Sequence, residues 1–409
     1  MKLPISRGRI SHTLISEIGW LLRAVVTPLS KTETIDKAES AFATYVGRKN
    51  CVVFPFARTA IWSTLKILNL PPGSRVVMPP LTIKPILDVV VHMGYEPLFV
   101  DIDPKTACFD EQKLLAAMSR KPAVAILTYL FGLVPEVARL TEILREHHVF
   151  VIEDFSQCLN GEFEERKIGT FGDVSVYSAS SVKTFDTFGG GFALADDETL
   201  ANGLRKIQLQ LEAPKRRDLL QSIIRNLIRN LASTRLVFIT FTFWFLRVAA
   251  RRSERAVGRF TGARSTEPLG ELPTAWFRRY TAVQASVALR ELPQVEKRDS
   301  KRVDRIAQIV SGAGILDRPV GAEGQKHVYW QFIVYVDDFA DARERLAKFA
   351  VDCATTSLVL LTDLPKYPGQ IDAPAAQRLY ERGVYMPCYH QLTESETHRI
   401  STALHGISG

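Results

Sequence analysis

Short apolar runs alternate with helical repeats over the first half of the chain. CVVF, AVAILTYLFG, VFVIED and VSVYS have the length and composition of strands that are buried on both faces. Helical patterns at residues 33–48, 134–148 and 200–211 lie between or after these runs. Strands that alternate with helices predict an α/β fold built on a parallel, doubly wound sheet.

The spacing of apolar residues also marks residues 1–32 as a separate N-terminal segment. Its apolar residues recur at helical spacing: Ile10, Leu14, Ile15, Ile18, Leu21, Leu22 and Val25. Glu17, Gly19 and Arg23 interrupt the apolar cluster, and no small-residue cleavage site follows it. Neither a signal peptide nor a membrane-spanning helix is therefore predicted. We expect an amphipathic helix that packs on its own protein.

Residues 212–268 are interpreted as an insertion between a large domain, residues 33–211, and a small C-terminal domain, residues 269–409. The run LVFITFTFWFL has 11 residues, too few to span a bilayer, which takes about 20. Basic residues beside Trp, Phe and Leu indicate that residues 217–252 lie in a membrane interface. A hairpin buried against the core or against a second subunit is an equal alternative.

The formal net charge of +8 is concentrated in this insertion. Twelve Lys or Arg residues against two acids lie between Lys215 and Arg264, a local charge of +10 that leaves about −2 for the rest of the 409 residues. We predict no nucleic-acid partner. Five scattered cysteines without a CxxC pair predict neither a metal site nor a disulfide framework, and they suit a reducing, cytoplasmic setting.

The stretch from Val149 to Asp196 carries the most chemistry. Asp154 ends the run VFVIED, where a carboxylate points into the crevice beyond a strand. Lys183 follows VSVYS and precedes the glycines at residues 189–191. A lysine for a Schiff base and a carboxylate for a pyridinium nitrogen are the parts of a pyridoxal 5'-phosphate site. The alternative is an ordinary turn carboxylate and a solvated lysine. Lys84 is a weaker rival, because no Gly-rich segment follows it.

A second candidate feature is the turn after CVVFPF. Thr59 and Ala60 stand at the predicted start of the next helix, where backbone N–H groups and the helix dipole suit a phosphate group. An ordinary helix cap is the alternative interpretation.

The string VIEDFSQCLNGEFEERKIGTFGDVSVYS resembles the DegT/StrS family of pyridoxal phosphate-dependent sugar aminotransferases. In that family a strand ending in Glu-Asp is followed by a Gln, by K-x-G-x-F-G-D and by a Ser-rich stretch before the lysine. The resemblance extends over residues 33–210 and about 270–400. It implies fold type I, with a mostly parallel, doubly wound seven-stranded sheet in the large domain and a smaller C-terminal α+β domain. It also implies a homodimer.

The resemblance implies a cofactor site of seven residues: Thr59, Ala60, Ile83, Asp154, Gln157, Ser178 and Lys183. Lys183 and Asp154 are the catalytic pair; the first would hold the cofactor and move a proton, and the second would keep the pyridine nitrogen protonated. Gln157 would lie near the phenolic oxygen, and Ser178 would bond the phosphate. Family members that dehydrate sugars carry His where this chain has Lys183, so the lysine favours transamination.

Several family positions differ in this chain. Ile83 stands where the family has a stacking aromatic residue, and Phe277 where it has an Asn that reaches the partner subunit's phosphate. Ala57 and Arg58 replace the Ser and Gly of the phosphate turn, and Gly189 replaces an acid.

The expected reaction is amino transfer from an amino acid, glutamate by analogy, to a keto-sugar linked to a nucleotide or a lipid. The departures motivate a competing hypothesis, a degenerate family member that acts as a scaffold or regulatory binding protein. The insertion adds the expectation of a peripheral position on the inner face of the membrane.

Overall fold

The computed structural model describes residues 3–252, 270–364, 366–367, 371–405 and 407. The strands are β1 Asn50–Phe54, β2 Arg75–Met78, β3 Leu81–Thr82, β4 Glu96–Phe99, β5 Val124–Thr128, β6 Phe150–Asp154, β7 Glu162–Phe163, β8 Arg166–Lys167, β9 Val174–Ser178, β10 Gly191–Ala195, β11 Phe332–Tyr335, β12 Ala354–Thr355, β13 Val359–Leu360 and β14 Gly383–Met386. The helices are α1 Leu14–Val26, α2 Thr32–Val46, α3 Ala57–Leu68, α4 Lys84–His92, α5 Glu111–Met118, α6 Val137–Glu146, α7 Glu198–Gln210, α8 Arg216–Ser233, α9 Arg235–Val237, a π-helical turn Phe238–Thr242, α10 Phe243–Arg252, α11 Ala282–Ala313, α12 Phe339–Lys348, α13 Pro374–Arg382 and α14 Glu394–Leu404.

Seven strands form the central sheet in the order β1-β10-β9-β6-β5-β2-β4. β4, β2, β5, β6 and β9 are parallel, and β10 runs antiparallel between β9 and β1. The predicted mostly parallel, seven-stranded sheet is confirmed. Because parallel strands end at one edge, the carboxyl ends of β5, β6 and β9 meet there.

Helices cover both faces of this sheet, as a doubly wound fold requires. One apolar core lies under α2, α5, α6 and α11, and the other under α3, α4 and α7. Successive residues of one strand face the two cores in turn: Val124 belongs to the second core and Ala125 to the first. The strands are apolar throughout because both faces are buried.

The C-terminal part forms the expected smaller α+β unit. The long helix α11 begins with a capping box between Thr281 and Gln284 and leads into the antiparallel sheet β11-β14-β12. β13 leaves this unit and pairs with β3, so that Val359 lies opposite Thr82. The residues around Thr82 are therefore held from both parts of the chain.

The insertion is helical where the structure describes it. The run LVFITFTFWFL lies in α9, the π-helical turn and α10, and the alternative that it packs against the core or a second subunit stays open; residues 253–268 of the insertion lie outside the described residues. Among the described residues no single helix is long and apolar enough to cross a membrane. The pair Arg216–Ser233 and Arg235–Val248, bent by 60°, passes that test together on length and composition. The predicted N-terminal helix is confirmed as α1, which packs on α8 and α11.

Candidate active site

Asp154 lies at the carboxyl end of β6, in the middle of the sheet. The strand pairing places Thr128 of β5 directly beside it and Ser178 two residues beyond its partner on β9. Directly paired residues point to the same face, which here is the face covered by α3 and α4. The Asp154 carboxylate is 5% exposed and accepts a 3.1 Å hydrogen bond from the backbone amide of Ser156.

Lys183 lies in the turn that follows β9. Its amide donates to the Ser180 carbonyl at 3.1 Å, and Val182 before it has a φ of +70°, in the left-handed region. The Lys183 Nζ lies 3.8 Å from the centroid of the Trp330 ring. The Trp330 indole also donates a 2.9 Å hydrogen bond to the Val182 carbonyl. Trp330 therefore holds both the backbone and the amine of this turn.

The environment of Lys183 favours the neutral amine. Burial lowers the pKa of Lys183 from 10.5 to about 8, and the nearby Asp154 carboxylate opposes that change. Burial also raises the pKa of Asp154, although the hydrogen bond from Ser156 and the charge of Lys183 lower it in part. The two predicted catalytic residues therefore act on each other electrostatically, across the edge of the sheet.

The glycines after Lys183 allow close backbone packing, as predicted. Gly189 and Gly190 have φ values of +120° and +131°, which side-chain-bearing residues rarely adopt. A Cβ at Gly191 would clash with the backbone of Phe56 and Ala57. The turn that opens α3 thus packs directly on the first residue of β10.

The predicted phosphate turn lies in the first turn of α3. The helix begins at Ala57, two residues before the predicted start, and the amides of Thr59 and Ala60 donate to the Phe56 carbonyl at 3.0 and 3.1 Å. The Thr59 hydroxyl donates to the Trp276 carbonyl at 2.7 Å. The Arg58 guanidinium lies between the rings of Phe56 and Trp276, at 3.9 and 4.2 Å from their centroids. Phosphate binding by Thr59 and Ala60 stays a prediction.

Three further predicted site residues border the same edge. Gln157 accepts a 2.7 Å hydrogen bond from the Phe131 amide, which fixes its side chain. The Ser178 hydroxyl lies 3.1 Å from that of Ser180. Ile83 directly precedes α4 and is 37% exposed, so its side chain is accessible to a bound ring. Their roles toward the cofactor stay predictions.

Lys84 is engaged elsewhere. Its Nζ lies 2.8 and 3.0 Å from the two carboxylate oxygens of Asp88, one turn along α4, and both residues are buried. An amine that donates two hydrogen bonds to a carboxylate is not free to attack a carbonyl, so this arrangement favours Lys183 as the nucleophile.

Glu153, beside Asp154, has a structural role that the sequence did not reveal. It is fully buried and accepts hydrogen bonds from the amides of Gly169, Phe171 and Gly172 and from the Tyr129 hydroxyl. The motif K-x-G-x-F-G-D is thus the loop that wraps this carboxylate. A buried charge with four donors is well satisfied.

Two residues of the site were missed altogether. Thr128 ends β5, and its Oγ1 is buried without a hydrogen-bond partner among the described residues. Its position at the end of a strand was the sequence feature that could have identified it as a site residue. Trp330 lies 147 residues after Lys183, and no local pattern could connect them.

These residues fit pyridoxal 5'-phosphate. Asp154 offers a buried carboxylate to a cationic ring nitrogen, and Lys183 offers an amine with a lowered pKa. The unpartnered hydroxyl of Thr128 marks a place beside Asp154 where a polar group of a ligand would find a hydrogen-bond partner.

Known proteins support this interpretation. The chain is 23% identical to GDP-perosamine synthase of Caulobacter vibrioides over 378 residues, which cover 90% of this chain and 88% of that protein. It is 30% identical to the spore coat polysaccharide biosynthesis protein SpsC of Bacillus subtilis over 213 residues, 51% of this chain and 53% of that one. The chain thus matches about half the length of the Bacillus relative.

Solved structures of the same fold confirm fold type I. A DegT DnrJ EryC1 StrS aminotransferase from Brucella abortus superposes with a TM-score of 0.74 at 20% sequence identity, covering 97% of this chain and 95% of that one. The sequence profile of the same family matches residues 16–224 and 255–405. The chain therefore belongs to the DegT/DnrJ/EryC1/StrS aminotransferase family, as its motifs predicted.

Proposed function

We propose that this protein is a pyridoxal 5'-phosphate-dependent aminotransferase that converts a keto-sugar into an amino sugar. The donor is an amino acid, glutamate by analogy. The observation that carries the proposal is the Lys183 amine, whose pKa burial lowers to about 8, beside the buried carboxylate of Asp154. A neutral amine can attack a carbonyl carbon, whereas an ammonium group cannot.

Each residue of the pair has a distinct task in this reaction. Bound pyridoxal phosphate supplies an electron sink when a C–H bond of the substrate breaks. Asp154 holds the proton of the pyridine nitrogen through a charge-assisted hydrogen bond. Lys183 Nζ takes the substrate proton and returns it, a task that needs the amine near neutrality at working pH. Gln157 and Ser178 orient the ring and the phosphate.

The lysine itself is tested by trapping. Holoprotein is reduced with borohydride, digested and analysed by mass spectrometry, and the adduct is expected on the peptide that contains Lys183. Lys183→Ala should lose the visible absorbance band of the bound cofactor, whereas Lys31→Ala, at an exposed lysine, should keep it. An adduct on Lys84, or no adduct, would contradict the assignment.

The non-catalytic alternative gains no support from the described residues. Its motives were the departures at Ile83, Phe277 and Gly189, yet Lys183 and Asp154 lie close enough to act on each other electrostatically, and an aromatic ring, Trp330, lies against the lysine. Phe277 packs edge-on against Trp62, with ring centroids 4.8 Å apart, so it fills a space within its own subunit.

The acceptor is proposed to be a nucleotide-linked or lipid-linked keto-sugar. GDP-perosamine synthase, by its name, makes a GDP-linked product, and this supports the first class. The insertion supports the second. Release of 2-oxoglutarate from glutamate, measured with each acceptor class in turn, decides between them; turnover with neither class would contradict the sugar substrate.

A homodimer is also proposed, from the family resemblance. Light scattering gives the mass in solution, and a monomer that remains fully active would refute a shared site. The cysteines are all free, four of them buried, which supports a reducing, cytoplasmic compartment. We further propose that residues 217–252 bring the protein to the inner surface of the membrane.

A further inference from the structure

Exposed large apolar side chains are concentrated on one side of the protein. Among the described residues, 13 of 21 such side chains belong to α1 or to the segment from α8 to α10. α1 and α8 pack on each other, and α9 and α10 follow α8 directly. We call the outer surface of α1 and α8–α10 the docking face. Single exposed apolar residues scattered over a surface are normal, whereas a cluster of them indicates a binding partner.

The orientation of α1 is the reverse of that in an ordinary surface helix. Its buried residues are Glu17, Trp20 and Ala24, so a carboxylate lies on the inner side of the helix. Its exposed apolar residues lie on the opposite side: Ile15, Ile18, Leu22, Val25 and Val26. Ile15 is 84% exposed and Val26 77%, so this stripe has no cover from the described residues.

α8 shows part of the same pattern. It buries two asparagines beside Leu219 and Ile223, and its exposed apolar residues are Ile224, Ile228 and Leu231. The Asn226 amide donates to the Glu17 carboxylate at 2.8 Å, and the Asn230 amide donates to the His12 carbonyl at 2.8 Å. Rotating either helix to hide its exposed isoleucines would break these buried hydrogen bonds. The packing therefore fixes the outward position of the apolar stripes.

The third part of the docking face is aromatic. Phe238 and Phe243 are buried, whereas the exposed apolar residues of this part are Leu236, Phe241, Trp244, Phe245 and Val248. Arg225 on α8 is also exposed, and the described stretch from Lys215 to Val248 carries seven Lys or Arg residues against one acid.

We propose that the docking face lies in the interface of an anionic lipid bilayer, with α1 as one half of the contact. The proposal rests on the membrane contact proposed for residues 217–252 and extends it to the N-terminal helix. Apolar and aromatic side chains beside arginines are the composition of helices that lie in such an interface. A second copy on this face would place two segments opposite each other that each carry seven Lys or Arg residues against one acid, so charge complementarity favours anionic lipid.

The helices lie along the bilayer and do not cross it. The inner side of α8 packs on Trp20 and Phe188 through Leu219 and Ile223, so α8 is part of the folded protein. The bend of 60° after Ser233 means that α8 and the helices after it do not form one straight span. This arrangement lets the exposed apolar side chains of the docking face insert into the headgroup region while the inner side stays packed on the protein.

The docking face is also connected to the catalytic turn. The His12 ring stacks on Phe188 with centroids 4.9 Å apart, and the Asn226 amide donates to the Asp186 carboxylate at 3.3 Å. Asp186 and Phe188 follow Lys183 by three and five residues. Docking would thus fix the direction of the active-site crevice relative to the membrane, which suits a lipid-linked acceptor.

Flotation with vesicles tests the proposal on the full chain. Vesicles of phosphatidylcholine with or without phosphatidylserine are compared at low and high salt. The expected result is binding to the anionic vesicles that weakens with salt. Two double variants, Ile18→Ser with Leu22→Ser on α1 and Ile228→Ser with Phe245→Ser on α8–α10, should each reduce the bound fraction at least about tenfold.

Matched controls separate the outcomes. Leu115→Ser with Leu209→Ser removes two exposed leucines outside the docking face and should bind like wild type. Lys183→Ala should float normally, which keeps this test independent of catalysis. Absence of wild-type binding overturns the proposal, and normal flotation of the α1 variant overturns the role of α1. A dimer that the α1 variant dissociates, without vesicle binding, would assign the face to a second copy.

Discussion

The amine of Lys183 should titrate near pH 8 in the protein without cofactor. With a pKa of about 8, the neutral fraction rises about tenfold between about pH 7 and 9 and then levels off. An ordinary lysine with a pKa of 10.5 would gain about a hundredfold over the same range without a plateau. The rate at which apoprotein captures pyridoxal phosphate, followed by absorbance and corrected with Lys183→Ala, reports that fraction.

Substitution of the neighbouring carboxylate tests the cause of this pKa. Asp154 raises the pKa of Lys183 against the larger effect of burial, so Asp154→Asn should move the midpoint to lower pH. Asp36→Asn, at an exposed carboxylate far along the chain, serves as the control and should leave the midpoint unchanged. A capture rate that keeps rising tenfold per pH unit above about pH 9 would show that Lys183 is solvated and would refute the reasoning.

Three further predictions concern the surroundings of the pair. Glu153→Gln replaces one carboxylate oxygen, which accepts from buried amides, by an NH2 group that can only donate. It should lower the free energy of unfolding by about 2–4 kcal/mol in urea titrations, whereas Glu165→Gln should leave that free energy unchanged. Trp330→Leu removes the ring that faces the ammonium and should lower the capture midpoint by about half to one pH unit, whereas Trp330→Phe should not; equal midpoints would exclude the contact. Asp88→Asn leaves the Lys84 ammonium buried and alone and should destabilise the protein by about 3–5 kcal/mol in the same titration; a change below about 1 kcal/mol would show a solvated pair.

The sheet and the position of Asp154 could be predicted because their causes are local. A run of apolar residues sets a buried strand, and the polar residue that ends it must lie at the edge where ligands bind. The role of the glycines after Lys183 could be predicted for the same reason, because it follows from backbone geometry at adjacent positions. Both inferences needed only the spacing of a few residues.

Side-chain partners from distant segments could not be predicted. Trp330 reaches Lys183 only after the small C-terminal unit has folded against the sheet, and nothing in KHVYWQFIVYV indicates that contact. The inward position of Glu17 was also hidden, because a helix with one acid among apolar residues is expected to expose the acid. Its partner, Asn226, comes from a helix that is 209 residues away in the sequence.

The turn from Lys183 to Gly190 is held by contacts from two other parts of the chain, and these contacts fix its position although several neighbouring positions differ from the family. Trp330 donates to the Val182 carbonyl and faces the amine. His12, just before α1, stacks on Phe188, and Asn226 of α8 donates to Asp186. Trp330 supplies an aromatic ring beside the lysine, whereas the residue after Thr82 is Ile83. Because the same turn is tied to the docking face, substitutions in α1 or α8 that disturb these contacts should be assayed for cofactor capture as well as for lipid binding.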